Sequence, residues 1–276
     1  MLCGAANPKT LFEKKGMAVV RCGGCSLEWL HPMPTPDELT AYYEASYADG
    51  SYSFFAQARD ARRDIASYRL KTIEGFARDG SWLDVGASSG DFVEVASTAH
   101  NAEGLELSEI AVDEARARGL RMHCASVDDF TPEQPYAMIT AFDLLEHLPQ
   151  PRDFLRNIRG WLKDDGRFVL TLPDVSSVYP RWLMGRYWFY YIPGEHLYYY
   201  SPSTVTRLFE EEGFRVEKVT KTYKFLTLRY AANNLRHFNS VLGAIASAIV
   251  SVLPESIATR PIPMYLGEMM VLAERA

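Results

Sequence analysis

The fold of this chain is decided by the stretch Leu83-Asp84-Val85-Gly86-Ala87-Ser88-Ser89-Gly90-Asp91-Phe92. Here an apolar strand runs into glycine-rich sequence, and such a turn lets a ligand approach the backbone because glycine has no Cβ. The dinucleotide pattern G-x-G-x-x-G is absent, since Ser88 takes the second glycine place. Asp91 would also repel a pyrophosphate at the N-terminus of the following helix. The turn therefore favours a phosphate-free, cationic ligand over NAD or FAD.

Strands and helices alternate on both sides of this turn. The predicted strands are Trp82–Val85, Ala102–Leu107, Arg121–Cys124, Tyr136–Ala141 and Gly166–Leu172. The predicted helices are Gly90–His100, Glu109–Arg118, Pro151–Leu162 and Ser203–Glu212. Ser108 is expected to cap the second of these helices and Gly119 to stop it. This alternation predicts a doubly wound, mostly parallel α/β sheet.

Polar residues follow the predicted strands, at the edge where open α/β sheets bind ligands. Glu106 lies 20 residues past Gly86, where a carboxylate can accept both ribose hydroxyls of a nucleoside or can simply be solvated. The loop 125–130 can flank an adenine base. After the fourth strand, two acids and a histidine crowd one strand end within residues 143–147. These residues predict a nucleoside site at the carboxyl edge of the sheet.

Taken together, the motifs resemble those of the class I S-adenosylmethionine-dependent methyltransferases, in particular the subgroup with ubiquinone-pathway and sugar methyltransferases. That subgroup typically reads LDVGxGxG, an acid ending strand two, FDxxEHxxxP and a later strand ending in proline. This chain has LDVGASSG, Glu106, FDLLEHLPQP and FVLTLPD. The likeness covers roughly residues 60–222, and Gly267–Arg275 resembles the usual last strand. It implies a Rossmann-like, doubly wound, mostly parallel sheet of seven strands.

The resemblance also implies S-adenosylmethionine as the cofactor. Gly86 and Gly90 would line its methionine part, Glu106 would bind the ribose, and Asp143 would lie near the methionine end. Ser126 and Val127 would flank the adenine. The full set of expected cofactor-binding residues is Asp84, Gly86, Ala87, Ser88, Gly90, Glu106, Leu107, Ser126, Val127, Asp128, Asp143 and Leu144.

Methyl transfer to oxygen needs a base near the methyl group, and transfer to carbon needs one to form the enolate. His196, beside Glu195 in a segment before the helix Ser203–Glu212, is the first candidate, with Glu195 as its partner. His147 is the second candidate. Either imidazole can instead serve only to hold its loop. A metal-dependent reaction is not favoured, because the sequence shows no convincing carboxylate cluster.

Three of the four cysteines lie in the first 25 residues. Cys3, Cys22 and Cys25 match three quarters of a zinc ribbon, and the missing cysteine would fall immediately upstream of Met1. Many relatives in the subgroup begin with such a head, which implies either an upstream start or loss of the first ligand. A structural zinc ion in the head is therefore an expectation, on an incomplete set of ligands.

The chain is expected to divide into three parts. Residues 1–35 form a degenerate or truncated zinc-ribbon-like head, 36–76 a helical linker or lid, and 77–276 the methyltransferase domain. Within that domain, an aromatic lid covers 173–200 and a helical insert before the last strand covers 223–262.

The lid and the insert are rich in apolar side chains. Ten aromatic residues between Tyr179 and Tyr200 either wall an acceptor pocket or pack the lid onto the sheet. Ser240–Leu253 is an apolar stretch of 14 residues, too short to span a bilayer. It packs against the sheet, the lid or a second subunit, as in a homodimer, or it makes a peripheral contact with a membrane. A helix in the linker is predicted by the spacing of Leu39, Tyr42, Tyr43 and Tyr47.

The composition is that of an ordinary globular protein, with 47% hydrophobic and 23% charged residues. A net charge of −6 gives no pull toward nucleic acid. The start MLCGAANPK has no apolar run, so we predict no signal peptide and expect a cytoplasmic enzyme. The predicted reaction is O-methylation of a small hydroxylated acceptor, such as a sugar, a quinone-like or a lipid-linked metabolite. The alternatives are C-methylation of a nucleotide-linked sugar and a cofactor-binding protein without turnover.

Overall fold

A computed structural model describes residues 2–5, 7–35, 37–39, 59–238 and 240–276. The strands are β1 (Lys9–Lys14), β2 (Met17–Arg21), β3 (Glu28–His31), β4 (Ser81–Val85), β5 (Asn101–Glu106), β6 (Met122–Cys124), β7 (Tyr136–Phe142), β8 (Leu162–Pro173), β9 (Tyr198–Tyr199), β10 (Phe214–Leu226) and β11 (Ile262–Arg275). The helices are α1 (Arg59–Ile73), α2 (Asp91–Ala96), α3 (Glu109–Ala117), α4 (Pro151–Trp161), α5 (Pro202–Glu211), α6 (Leu228–Phe238), α7 (Ser240–Ser251) and α8 (Glu255–Ala258).

The main sheet of the described residues has seven strands in the order β10-β11-β8-β7-β4-β5-β6. The strands from β8 to β6 run parallel, and β10 and β11 are antiparallel to their neighbours. The predicted Rossmann-like, mostly parallel seven-stranded fold is therefore confirmed. The reversal of order beside β4 places the glycine-rich turn at the carboxyl edge, where such sheets bind ligands.

The centre of this sheet is covered on both faces. All seven residues of β7 are buried, as expected for a parallel strand between two helical layers. On α4, Phe154, Leu155, Ile158 and Trp161 are buried at helical spacing. Ser108 caps α3 by accepting the Ala111 N–H at 3.4 Å, as its sequence predicts.

A smaller sheet carries the head. Among the described residues, the order of its strands is β1-β2-β3-β9. β3 of the head pairs with β9, which joins the head to the segment after β8. Leu39 is 9% exposed, whereas the predicted helix positions Tyr42, Tyr43 and Tyr47 lie outside the described residues.

The last two strands extend beyond the main sheet. Glu268 of β11 pairs with Pro173, the last residue of β8, and β11 starts six residues earlier at Ile262. Within the described residues, the first part of β11, before Glu268, pairs only with the end of β10. Lys224 pairs with Met264, and Leu226 pairs with Ile262. A two-stranded ribbon therefore projects past the carboxyl edge and carries α6, α7 and α8.

Candidate active site at the carboxyl edge

The glycine-rich turn bends sharply between β4 and α2. Gly86 has φ +74°, and a Cβ on it would lie 3.1 Å from the Leu144 side chain. The N–H groups of Gly86 and Ala87 donate to the carbonyl oxygen of Leu105 at 2.9 and 3.1 Å. Ser88 also has a left-handed backbone, with φ 48°. The turn is thereby held against β5 with its outer backbone open to a ligand.

The carboxylate of Glu106 closes this turn from the end of β5. Its Oε2 accepts the Ser88 N–H at 2.8 Å, and its Oε1 accepts the N–H groups of Leu107 and Ser108 at 2.8 and 2.9 Å. The apolar side chain of Leu107 is nevertheless 72% exposed. An oriented carboxylate beside an uncovered apolar side chain can accept ribose hydroxyls while the base lies on Leu107.

Asp91 at the start of α2 is paired with two arginines. Its Oδ2 lies 2.6 Å from Arg62 Nε, and its Oδ1 lies 3.7 Å from Arg118 Nη1. These cations compensate the carboxylate, so it would repel a pyrophosphate less than the sequence predicts. The exclusion of NAD and FAD as ligands then depends on the turn sequence alone, which reads G-x-S-x-G where a dinucleotide site has G-x-G-x-x-G.

The loop after β6 is held by its own polar side chains. The Ser126 hydroxyl donates to Asp129 Oδ2 at 2.6 Å and accepts the Asp129 N–H at 3.1 Å. Asp128 Oδ1 accepts from Asn157 at 3.3 Å, and Val127 packs on the core. Ser126 therefore orders the loop itself, and the expected contacts of Ser126 and Val127 with the adenine stay predictions.

Asp84 lies beneath the turn, inside β4. It is 6% exposed and accepts a hydrogen bond from the Thr140 hydroxyl at 2.7 Å. Burial raises the pKa of Asp84 to about 7. Asp84 is thus placed to support the turn from below.

Asp143, after β7, has two cationic partners. Its Oδ2 lies 2.7 Å from Arg69 Nη2 and 3.0 Å from Lys224 Nζ, and the Thr171 hydroxyl donates to its Oδ1 at 3.0 Å. Burial raises the pKa of Asp143, but the charges of Lys224 and Arg69 outweigh it and hold the pKa well below its usual range. Asp143 is therefore an anion at neutral pH.

Lys224 continues this network into the two antiparallel strands. Its Nζ lies 2.9 Å from Glu268 Oε1, and the Tyr190 hydroxyl donates to the same carboxylate. Burial lowers the pKa of Lys224, but Asp143 and Glu268 together raise it above its usual value. Sequence reasoning missed Arg69, Lys224 and Glu268, because no motif marks them and they meet only through α1, β10 and β11.

Glu146, His147 and His196 converge next to Asp143. One ligand atom of each lies within 4.8 Å of the others, and the two imidazole rings are 4.6 Å apart, edge to face. His147 Nδ1 hydrogen-bonds the backbone oxygen of Glu195 at 3.0 Å. The sequence paired His196 with the Glu195 carboxyl; in the structure, the carboxyl that lies beside the two imidazoles is that of Glu146.

Burial sets the charge of these three residues. It lowers the pKa of His147 to about 4 and that of His196 well below its usual value. It raises the pKa of Glu146 well above its usual value. Both imidazoles are therefore neutral at pH 7, so each has one ring nitrogen that carries no proton, but the lowered pKa makes each a weaker base than an ordinary histidine. One carboxylate and two imidazoles could also hold a transition metal, although the sequence showed no convincing carboxylate cluster.

The aromatic segment after β8 packs mainly against the head. Trp188, Tyr191 and Tyr199 are at most 4% exposed, and the Tyr191 hydroxyl donates to Glu28 Oε2 at 2.7 Å. Trp182, by contrast, is 83% exposed. The aromatic residues were expected either to wall an acceptor pocket or to pack the lid onto the sheet. The buried ones pack, and they do so largely against residues of the head.

The three head cysteines are brought together. Cys3 Sγ and Cys22 Sγ are 3.3 Å apart, and one ligand atom each of Cys3, Cys22 and Cys25 lies within 4.8 Å of the others. Cys124, the fourth cysteine, is exposed at the end of β6.

Residues 57–219 match the family model described as a methyltransferase domain. The ubiquinone biosynthesis O-methyltransferase of Coxiella burnetii is 30% identical over 172 residues, which cover 56% of this chain and 73% of that protein. The enzyme of the same name from Neisseria meningitidis serogroup C is 26% identical over 61% of this chain and 79% of its own length.

Solved structures agree in fold. A SAM-dependent methyltransferase from Archaeoglobus fulgidus has a TM-score of 0.53 at 18% identity and covers 80% of this chain and 99% of its own. The 1,6-didemethyltoxoflavin-N1-methyltransferase of Burkholderia thailandensis, with its bound substrate and S-adenosylhomocysteine, has a TM-score of 0.53 at 17% identity, over 97% of this chain and 99% of its own. Within the described residues, no helix has the length and apolar character needed to cross a membrane. By its matched domain and its fold, the chain belongs to the class I S-adenosylmethionine-dependent methyltransferases.

Proposed function

We propose that this enzyme methylates an oxygen atom of a small, quinone-like hydroxylated acceptor. The relatives named ubiquinone biosynthesis O-methyltransferases, at 25–30% identity, support this acceptor class. The observation that carries the proposal is the juxtaposition of His147 and His196, whose rings lie 4.6 Å apart, beside Asp143 at the carboxyl edge. In such a transfer the bond from acceptor oxygen to methyl carbon forms as the carbon–sulfur bond breaks, and the hydroxyl proton goes to a base.

The turn and its neighbours fit the cofactor part by part. Glu106 would accept the ribose hydroxyls, with Leu107 under the base. The methionine end carries an ammonium and a carboxylate, and it would meet Asp143 together with Arg69 and Lys224. When bound, S-adenosylmethionine supplies a methyl group on a sulfonium centre. The backbone of the turn at Gly86 would hold the methionine part of the cofactor at the carboxyl edge, beside the acceptor.

His196 is the proposed base. Its Nδ1 is buried without a hydrogen-bond partner among the described residues, which suits an atom that binds an acceptor hydroxyl. His147 would orient it, since its ring lies edge to face against that of His196 and is itself tied to the Glu195 backbone. His196 is only 5% exposed, so this role requires that the loop with Gly194 and Glu195 moves aside to admit the acceptor.

The test is a methyl-transfer assay with the purified full chain, S-adenosylmethionine and a catechol with a short alkyl side chain. We expect an O-methylated product by mass spectrometry, with release of S-adenosylhomocysteine. A panel with nucleotide-linked sugars as acceptors covers the rival reaction. If a sugar carbon is methylated and the catechol is not, the proposal is replaced by the alternative reaction, C-methylation of a nucleotide-linked sugar.

A second, structural proposal concerns the head. Cys3, Cys22 and Cys25 lie close enough to hold one zinc ion, since sulfurs on a tetrahedral zinc are about 3.8 Å apart at Zn–S distances of about 2.3 Å. We expect elemental analysis of protein purified without chelator to give one zinc per chain, lost in Cys22→Ser. Wild-type protein with no zinc would reject the site. The division into head 1–35, linker 36–76 and methyltransferase domain 77–276 stays a prediction.

A further inference from the structure

The helix α7 exposes an apolar face. Val241, Ile245 and Ile249 are 66%, 53% and 58% exposed, and Val252 just after the helix is 81% exposed. Their spacing of four, four and three residues places them along one side of a helix. α7 contains no charged residue in its 12 positions. A scattered exposed valine or isoleucine is ordinary, but a continuous row marks a surface that binds something.

A second exposed apolar patch lies in the segment after β8. Trp182 and Leu183 are 83% and 68% exposed, and Tyr187 is 57% exposed. Arg181 and Arg186, both exposed, lie within this patch. No ion pair to a described carboxylate within 4.0 Å involves either arginine.

The topology brings both patches to the same edge of the main sheet. The segment with Trp182 leaves β8 at Pro173, and the ribbon that carries α7 extends past the partner of that residue, Glu268. The Tyr179 ring lies 6.0 Å from that of Tyr265 on the ribbon. Both patches therefore arise at the carboxyl edge, on the side where the candidate active site lies.

The charge of these segments is opposite to that of the whole chain. The net charge of the protein is −6. Residues 175–192 contain Arg181 and Arg186 and no acid. Residues 225–262 contain three arginines and one acid, Glu255. Each of these segments has a net positive charge, and Glu255 is paired with Arg229 at 2.5 Å. Exposed apolar residues in positively charged segments of an otherwise acidic protein are complementary to an anionic lipid surface.

We propose that α7 and the Trp182 patch form a docking surface for an anionic lipid bilayer. α7 is about 18 Å long at about 1.5 Å per residue, which is too short to span a bilayer. It would lie in the plane of the interface with Ile245 and Ile249 among the acyl chains. Trp182 is suited to the headgroup level, where an indole ring has both apolar and polar neighbours. The proposal does not depend on which acceptor the enzyme methylates.

The test is co-sedimentation of the purified full chain with vesicles of phosphatidylcholine alone and of phosphatidylcholine with phosphatidylglycerol. We expect about tenfold or more tighter binding to the anionic vesicles, weakened by salt. The double substitution Ile245→Asp/Ile249→Asp should abolish it. Ile110→Asp is the matched control, since Ile110 is 77% exposed on α3, away from both patches.

Retained affinity for S-adenosylhomocysteine shows that the double variant is folded. Binding of that folded variant equal to wild type would overturn the proposal. So would absence of vesicle binding by the wild-type chain. If that chain instead forms a dimer in light scattering that the double substitution splits, α7 is covered by a second copy and not by lipid.

Discussion

Ser88 and Glu106 are 18 residues apart in sequence and are joined directly, since the Ser88 N–H donates to Glu106 Oε2 at 2.8 Å. The contact ties the glycine-rich turn to the end of β5. Serine at the second glycine place is thus compatible with the tight turn, and its backbone helps to orient the carboxylate that we assign to ribose binding.

Replacing Glu106 by alanine should weaken binding of S-adenosylhomocysteine by about 1.5–3 kcal/mol, or about ten- to a hundredfold, because charge-assisted hydrogen bonds to the ribose are lost. Calorimetric titration measures this change. Glu109→Ala is the control, since Glu109 is exposed on the neighbouring helix. Unchanged affinity in Glu106→Ala would remove Glu106 from the cofactor site.

Replacing His196 by alanine should lower kcat by about a hundredfold to ten-thousandfold if it is the base, with little change in affinity for S-adenosylhomocysteine. The comparison of kcat with cofactor affinity separates a base from a residue that holds the loop. Equal loss of both, or loss of folding in a thermal melt, would favour the structural role.

A chelator provides the second control on His196. Because Glu146, His147 and His196 could also bind a metal, the assay is repeated after dialysis against EDTA. Unchanged turnover is expected for a base. The same treatment of Cys22→Ser controls for zinc in the head. Loss of turnover in both proteins that added zinc or magnesium restores would assign Glu146, His147 and His196 to a metal ion instead.

Replacing Lys224 by methionine should destabilise the fold by about 3–5 kcal/mol, because it leaves the Glu268 carboxylate, 2% exposed, without its cation. Urea unfolding followed by circular dichroism gives the difference. The double variant Lys224→Met/Glu268→Gln should recover part of the loss, since the buried charge is removed with its partner. If the single variant matches wild type, the Lys224 network does not stabilise the fold.

His147 should make the protein less stable in acid. Burial lowers its pKa to about 4 in the folded chain, against 6.5 for an ordinary histidine. Between these values the unfolded chain binds a proton that the folded chain does not, so the unfolding free energy falls as pH falls from 6.5 to 4. His147→Gln should reduce this slope by up to about 1.4 kcal/mol per pH unit. An unchanged slope in urea titrations across this range would mean that His147 is not buried as a neutral imidazole.

The alternation of strands and helices and the glycine turn could be predicted because they depend on local patterns. A buried parallel strand such as β7 is continuous in apolar residues, and Ser108 is a helix cap by residue type. The family resemblance added the number of seven strands and a last strand at Gly267–Arg275, which lies within β11. The boundaries differ by a few residues, as at α2, which ends at Ala96 rather than at His100.

The charge network could not be predicted, because its members come from separate elements. Arg69 is 74 residues from Asp143, and Lys224 is 81 residues from it. Nothing in the local sequence distinguishes Lys224 from the other lysines of β10. Its role depends on how β10 pairs with β11, which brings Lys224 to Glu268 and Asp143. The choice of Glu195 as partner of His196 followed from adjacency in sequence, whereas Glu146 reaches the histidines through the fold.

The central claim is that the turn and Glu106 bind S-adenosylmethionine and not a dinucleotide. Calorimetric titration of the purified chain with S-adenosylhomocysteine, and separately with NAD, tests it most directly. We expect one S-adenosylhomocysteine bound per chain and no binding of NAD. Tight binding of NAD with none of S-adenosylhomocysteine would contradict it.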